Sequence, residues 1–248
     1  QAHYLSGENS PYLQKIKGKN LLSNIIITFS LLLIATIVLS RMFKLPLNIW
    51  LLFLAQPFVM AAGPVIVFIG GILSTKMVDD VSLATLPVTT MILGVALAAI
   101  PAALLAKKFG RKVSTYIGFS VGLIGCITAS IATSTLNFAL FSIASLLMGV
   151  CTAFVQQLRF AAIESVNQPS EVPTALSILM LSGIFSAFLG PEIAVVAKDW
   201  VASPEGYAGA FIALAVMNAM AMFIMLKFKN PVAQEQTSAG IARPLSTL

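Results

Sequence analysis

Catalytic chemistry has little to rest on in this 248-residue chain. The single histidine, His3, stands in a polar N-terminal stretch, and Cys126 and Cys151 sit in apolar surroundings with no partner at metal-binding or redox spacing. Acid–base, nucleophilic and metal-assisted catalysis each need paired groups at one depth, such as two aspartates, serine with lysine, or histidine with glutamate. No such pair occurs inside the long apolar stretches. The expectation is a protein with no enzyme activity, no cofactor and no metal.

Two charges in or near apolar stretches remain, Arg159 and Glu192. A charge at the centre of a membrane span costs roughly 2.5 to 3.5 kcal/mol on insertion scales, so such groups are normally paired, hydrated or placed near the interface. Arg159 closes an apolar run and can snorkel, pair with Glu164 or line a solute path. Glu192 is either a proton-exchanging carboxylate in a poorly hydrated site or a solvated group near Lys198. The neutral polar candidates are Gln56, Thr85, Thr89, Thr90, Gln156, Gln157 and Asn218. Each can hydrogen-bond between helices or contact a solute. Thr85 and Thr89 share one helix face, and either hydroxyl can instead bond its own backbone carbonyl.

The elements that position these residues follow from composition. Hydrophobic residues make up 58% and charged residues 10% of the chain, against about a quarter charged in soluble domains. Charge-free runs extend over Asn20 to Ser40, Leu45 to Thr75, Val81 to Ala106, Val113 to Leu158, Val172 to Pro191 and Gly206 to Leu226. A helix needs about 20 apolar residues to cross some 30 Å of hydrocarbon. The 113–158 run is too long for one crossing, and Thr133 to Asn137 break it into a helical hairpin. Barrel strands would alternate apolar and polar residues, and none of these runs does, so the spans are helices.

Six spans therefore follow residue 45, near 47–73, 83–106, 113–132, 138–159, 172–197 and 207–226. The 20–40 run is an additional apolar helix flanked by lysines on one side and by Arg41 and Lys44 on the other, so it can cross the bilayer, lie flat or re-enter with both flanks cytoplasmic, or be a signal peptide. The formal charge of +6 does not imply nucleic acid, because the basic residues stand at helix ends instead of covering one soluble face. One set of flanks holds Arg41, Lys44, Lys107, Lys108, Arg111, Lys112, Arg159, Lys227 and Lys229, and the other only Lys76 and Lys198. Nine against two places the first set in the cytoplasm, with both ends of the six-helix block. Gly63-Pro64 interrupts the first span, either to permit bending or to shape packing.

Between the second and third spans, Ala103-Ala-Leu-Leu-Ala-Lys107-Lys108-Phe109-Gly110-Arg111-Lys112 resembles the cytoplasmic signature of the major facilitator superfamily, G-x-L-a-D-r-x-G-R-[RK]. The match holds at Leu105, Gly110, Arg111 and Lys112, while Ala103 replaces the leading glycine and Lys107 the aspartate. Gly190-Pro191, with Gly183 and Ser186, resembles the Gly-Pro motif of the family's antiporters. Ser145-Leu-Leu-Met-Gly149 fits the R-x-x-x-G element only at Gly149.

The resemblance implies an all-α polytopic bundle, the six-helix half of a twelve-helix secondary transporter. It makes Gly110, Arg111 and Lys112 a gating loop. Gln56, Thr85, Thr89, Gln156, Gln157 and Arg159 become candidates for a solute cavity, with Gln56 and Gln157 favoured by the central position of their helices and Asn218 given least weight because its helix is peripheral in the family. Glu192 is the candidate for proton coupling, and Gly63, Pro64, Gly190 and Pro191 the candidates for helix bending. The expected organisation is a polar tail with the extra helix over 1–44, the bundle over 45–227, and a cytoplasmic tail or linker over 228–248. Expected partners are the lipid bilayer, a small-molecule substrate and a second six-helix half, from the same full-length chain or a homodimer, with no nucleic acid. The expected location is a bacterial inner membrane. The rival is a membrane scaffold or assembly subunit that transports nothing, favoured by the motif aspartate and arginine that are replaced here.

Overall fold

The structure, a computed structural model, describes residues 11–230, with side chains from Ser23. His3 and positions 231–248 lie outside the described residues. What is described is all helix and turn, the multi-pass bundle that the apolar runs predict.

Helix α1 spans Pro11–Met42 and ends at a short link whose Pro46 disfavours further helix before it. The first span is two helices, α2 (Leu47–Met60) and α3 (Ala62–Met77), end to end. Pro57 and Pro64 bring no N–H to the turns before them, and the helix is interrupted at Ala61, which keeps right-handed helical angles (φ −60°, ψ −22°); such a proline break is where a helix bends. Helix α4, Leu86–Thr135, has 50 residues and would reach about 75 Å if straight, about two and a half times the hydrocarbon thickness. Gly110, at φ 83° and ψ 162°, folds it into limbs 86–109 and 111–135. A side chain there would be strained, which accounts for glycine.

The hairpin expected at 133–137 is present. Leu136 adopts left-handed angles, and the Asn137 side chain accepts from the Leu140 amide at 3.0 Å to start α5 (Phe138–Gln156). The helical path continues through Gln157 into α6 (Leu158–Ser165), further than the expected end at 159. Helix α7 covers Val172–Val196 and α8 Ala208–Met225. Counting both limbs of α4, the span expected six times after residue 45 is found six times, with α1 in addition.

Small residues set how closely the helices pack, since dispersion replaces the hydrophobic effect between helices in lipid. A methyl on Gly149 would overlap the Met91 carbonyl, and one on Gly94 the Leu146 carbonyl, so α5 and the first limb of α4 touch backbone to backbone. Gly118, Gly122 and Gly125 admit Phe154, Cys151 and Leu147 against the second limb. Phe141 and Phe211, both fully buried, meet edge to face at 5.7 Å and join α5 to α8.

The two ends of the bundle are fastened differently. At the basic end, Asn48 on α2 donates to Ser165 Oγ (3.1 Å) and the Lys229 carbonyl (2.8 Å), while Lys112 Nζ donates to the Leu226 carbonyl (2.7 Å). At the opposite end Lys76 and Glu205 pair at 3.6 Å across the two loops.

Helix α1 runs toward the basic end beside α7 and α2, antiparallel to α7. Thr28 meets Glu192 near the far end, Phe29 stacks on Phe58 with ring centres 5.4 Å apart, and Leu32 is fully buried. Over this stretch α1 packs on α7 and α2 of the bundle.

Candidate functional site

The bend at Ala61 is the centre of the first candidate region. Gly190 on α7 is seated against it: a Cβ there would lie 2.7 Å from Pro64 Cβ and 2.9 Å from the Ala61 carbonyl oxygen. The two Gly-Pro pairs, 127 positions apart in the chain, thus form one junction, with Gly190 touching the turn that Pro64 opens. Gly63 faces α4 instead, with Met91 Cε 3.6 Å from where its methyl would stand.

Gln56, one turn before the bend, is buried and donates through Nε2 to the Leu179 carbonyl of α7 at 3.3 Å. Ser182 Oγ donates to that same carbonyl at 2.6 Å. Gln56 therefore bridges the two helices that meet at the junction, the structural role weighed for it beside solute contact.

Glu192 follows Gly190 by two residues and is half-buried. Its Oε2 lies 3.3 Å from Thr28 Oγ1, which also lies 3.0 Å from the Asn24 carbonyl of its own helix. A hydroxyl has one hydrogen. Thr28 thus offers its single hydrogen to two acceptors, the Asn24 carbonyl and Glu192 Oε2. The structure thus sets Glu192 under α1, and Lys198 turns to the Tyr207 ring at 5.0 Å instead.

The second region is a cleft of about 650 Å³ at the basic end, lined by Lys107, Gly110, Arg111, Gln157, Phe160 and Glu164 among others. Arg111 Nε donates to Glu164 Oε2 at 2.9 Å, Nη2 engages the other oxygen, and the guanidinium lies over Phe160 at 5.6 Å. The bend of α4 is thereby latched to the end of α6. The Lys112 amide donates to Asn230 Oδ1 at 2.8 Å.

Several candidates stand apart from both regions or at their edge. Arg159 is exposed and takes no ion pair among the described residues; Glu164 pairs with Arg111 instead. Five positions along a helix are about 140° apart around its axis, so Arg159 and Glu164 cannot share a face. Gln156 is exposed, beside the cleft residue Gln157. Thr85 precedes the first turn of α4, because Val81–Leu83 form a separate 3₁₀ turn, and Thr89 is exposed with its hydroxyl on the Thr85 carbonyl at 3.2 Å.

Asn218, given least weight in the sequence because its helix is peripheral in the family, is the most deeply buried of the neutral polar candidates. It is 3% exposed and its Oδ1 has no protein partner. It borders a cavity with about 10 Å³ of space for water centres, bounded also by Phe58, Gly122, Cys126, Met148 and Cys151. Nothing in the local sequence distinguishes it, since the cavity is assembled from five helices.

Comparison with known proteins agrees with this architecture. The sequence model of the Major Facilitator Superfamily matches residues 58–247. Over 204 residues the chain is 29% identical to the riboflavin transporter RfnT of Brucella anthropi, covering 81% of this chain and 50% of that protein. Over 173 residues it is 31% identical to the uncharacterized MFS-type transporter YdeG of Bacillus subtilis, covering 68% of this chain and 39% of that protein. The chain spans half or less of the length of these curated relatives. No solved structure matches it.

Proposed function

This chain belongs to the Major Facilitator Superfamily, and from that premise we propose that it is one half of a secondary transporter that moves a small solute by alternating access, with Glu192 exchanging the coupling proton. The second half is supplied by the remainder of a longer chain or by another copy. The basic end is the cytoplasmic one, in a bacterial inner membrane, by the excess of lysine and arginine there.

The observation that carries the reading is the junction of Gly190 with the Ala61 bend, next to Glu192. Two proline-weakened helices meet there through backbone and ring atoms, so a change of angle at one is passed to the other. A carboxylate two residues away, in contact with the Thr28 hydroxyl, can then gain or lose its proton as the junction moves. The Arg111–Glu164 latch closes the opposite end of the same half.

The relative named as a riboflavin transporter makes riboflavin the first solute to try. The full-length protein in proteoliposomes is expected to accumulate labelled riboflavin under an inward proton gradient. Glu192→Gln should abolish gradient-driven uptake and leave solute counterflow intact. Unchanged uptake by this variant would remove Glu192 from coupling, and absence of both activities for a panel of flat heterocyclic solutes would remove that substrate class.

A second reading, a non-transporting scaffold, draws on Ser145. It stands where the family motif has arginine, and its buried hydroxyl donates to its own helix at the Phe141 carbonyl, 2.9 Å away, instead of reaching a solute. Counterflow by the wild type would exclude it.

A further inference from the structure

The polar contacts at the basic end close on themselves. Asn48, in the first turn of α2, uses its whole side-chain amide there. Its Nδ2 donates to Ser165 Oγ at 3.1 Å and to the Lys229 carbonyl at 2.8 Å, and its Oδ1 accepts from the Lys229 amide at 3.2 Å. The next residue, Asn230, accepts from the Lys112 amide through Oδ1 at 2.8 Å. Lys112 follows Arg111, which holds Glu164, and Glu164 precedes Ser165. Hydrogen bonds and single peptide links thus run from Asn48 through Asn230, the bend of α4 and the end of α6 back to Asn48.

The segment after α8 is the part of this ring that local sequence does not announce. The Lys112 amide stands in the first turn of the limb 111–135, where an N–H finds no carbonyl in its own helix, and its acceptor comes from 118 positions away. The Asn230 side chain lies against Gly110, where a methyl would come within 2.8 Å of Nδ2. Phe228, fully buried, anchors the same segment in the core, and Lys112 Nζ donates to the Leu226 carbonyl at 2.7 Å. Residues 226–230 are therefore a strap fastened to α2 on one side and to the α4 bend on the other. Asn48 makes no hydrogen bond to α4; the strap is what connects them. In an open chain of bonds each segment could shift alone, whereas in a closed ring the displacement of one must carry the others or stretch a bond beyond hydrogen-bonding range.

We propose that Asn48 is a positioning residue for the α4 bend: by holding the 226–230 strap it makes the start of α2, the end of α6 and the Gly110 turn move as one body. Because α2 is the helix interrupted at Ala61, a tilt about that break is delivered to the basic end through Asn48. The inference stands whichever solute is carried and whether or not Glu192 exchanges a proton.

The test is hydrogen–deuterium exchange of the full-length protein in detergent, resolved to single amides by mass-spectrometric fragmentation. In Asn48→Ala the Lys112 amide should exchange about fivefold faster than in the wild type, the effect of one lost net hydrogen bond on a local opening, although Asn48 makes no bond to it. The Leu83 and Ala84 amides, bonded in the turn at the opposite end, should keep their rates. A residue that only steadied α2 would speed exchange along α2 and leave Lys112 unchanged, and that result would overturn the proposal. Transmission must also run in reverse. In Asn230→Ala the Lys229 amide, whose acceptor among the described residues is Asn48, should exchange faster once the strap lets go of α4. An unchanged Lys229 amide would overturn the ring, and this variant decides even if Asn48→Ala fails to fold.

Discussion

Replacing Gly190 by alanine should separate α7 from the bend in the first span, and the same change at Gly183 on the same helix should not. The added methyl at 190 would stand 2.7 Å from Pro64 Cβ and 2.9 Å from the Ala61 carbonyl oxygen, well inside the 3.4 Å at which ordinary van der Waals contact begins. Both obstacles belong to a proline ring and a backbone, neither of which can rotate away. At Gly183 nothing lies within 4 Å of the new methyl. Both substitutions gain the same helix propensity, about 1 kcal/mol for alanine over glycine, so that term cancels when the two variants are compared.

What remains is the overpacking at 190, about 1–3 kcal/mol. At about 2–4 °C per kcal/mol for a domain of this size, Gly190→Ala should unfold roughly 2 to 12 °C below Gly183→Ala. The assay is thermal unfolding of the full-length protein in one detergent, with uptake measured on the same preparations. Uptake should fall for the 190 variant and hold for the 183 variant. Equal midpoints for the two would refute the claim that the two Gly-Pro pairs form one packed junction.

The Arg111–Glu164 latch should give a coupling of about 1 kcal/mol in a double-mutant cycle with Arg111→Ala and Glu164→Gln, the upper end for a partly exposed pair; zero coupling in unfolding midpoints would show that the pair fastens nothing. Asn218→Val should raise the midpoint, because it removes a buried oxygen without a protein partner, a group that costs about 1–3 kcal/mol, with a smaller increase in size than leucine would bring; a lowered midpoint would assign Asn218 a polar role in the cavity. The Asp80 carboxyl titrates below its usual range, because the Ser82 side chain and then its amide bond the ionised form. A carboxylate with a depressed folded value adds stability above about pH 4 and loses it as pH falls, so the acid-side decline should be shallower in Asp80→Asn, measured as midpoint against pH; identical slopes would show that the cap is immaterial.

Fold class and span number were both legible in the chain, for one physical reason. Hydrocarbon makes an unpaired charge or backbone group so costly that charge-free runs, their lengths and their basic flanks are written directly into composition. Gly110 was legible too, as a glycine between two helical runs where the chain must reverse, and so was Asn137 as the start of α5. Gly149 was visible as a motif residue, but its reason, the Met91 carbonyl against its Cα, belongs to the crossing of α4 and α5.

The rest depended on which helices became neighbours, and local sequence carries little information on that when nearly every face is apolar. Glu164 was weighed in the sequence as a partner for Arg159; the fold pairs it with Arg111, 53 positions away at the bend of α4, because helix rotation turned the nearer arginine aside. Glu192 looked like a carboxylate bound for Lys198 until α1 lay down beside α7 and brought Thr28 to it. Asn218 seemed peripheral and was enclosed by residues from five helices. Sequence alone determined that this protein resides in the bilayer as helices, since water and lipid sort residues one at a time; the tertiary structure alone decided which polar groups meet, since in a bundle of uniformly apolar helices only close packing of small residues and prolines sets the rotation of each.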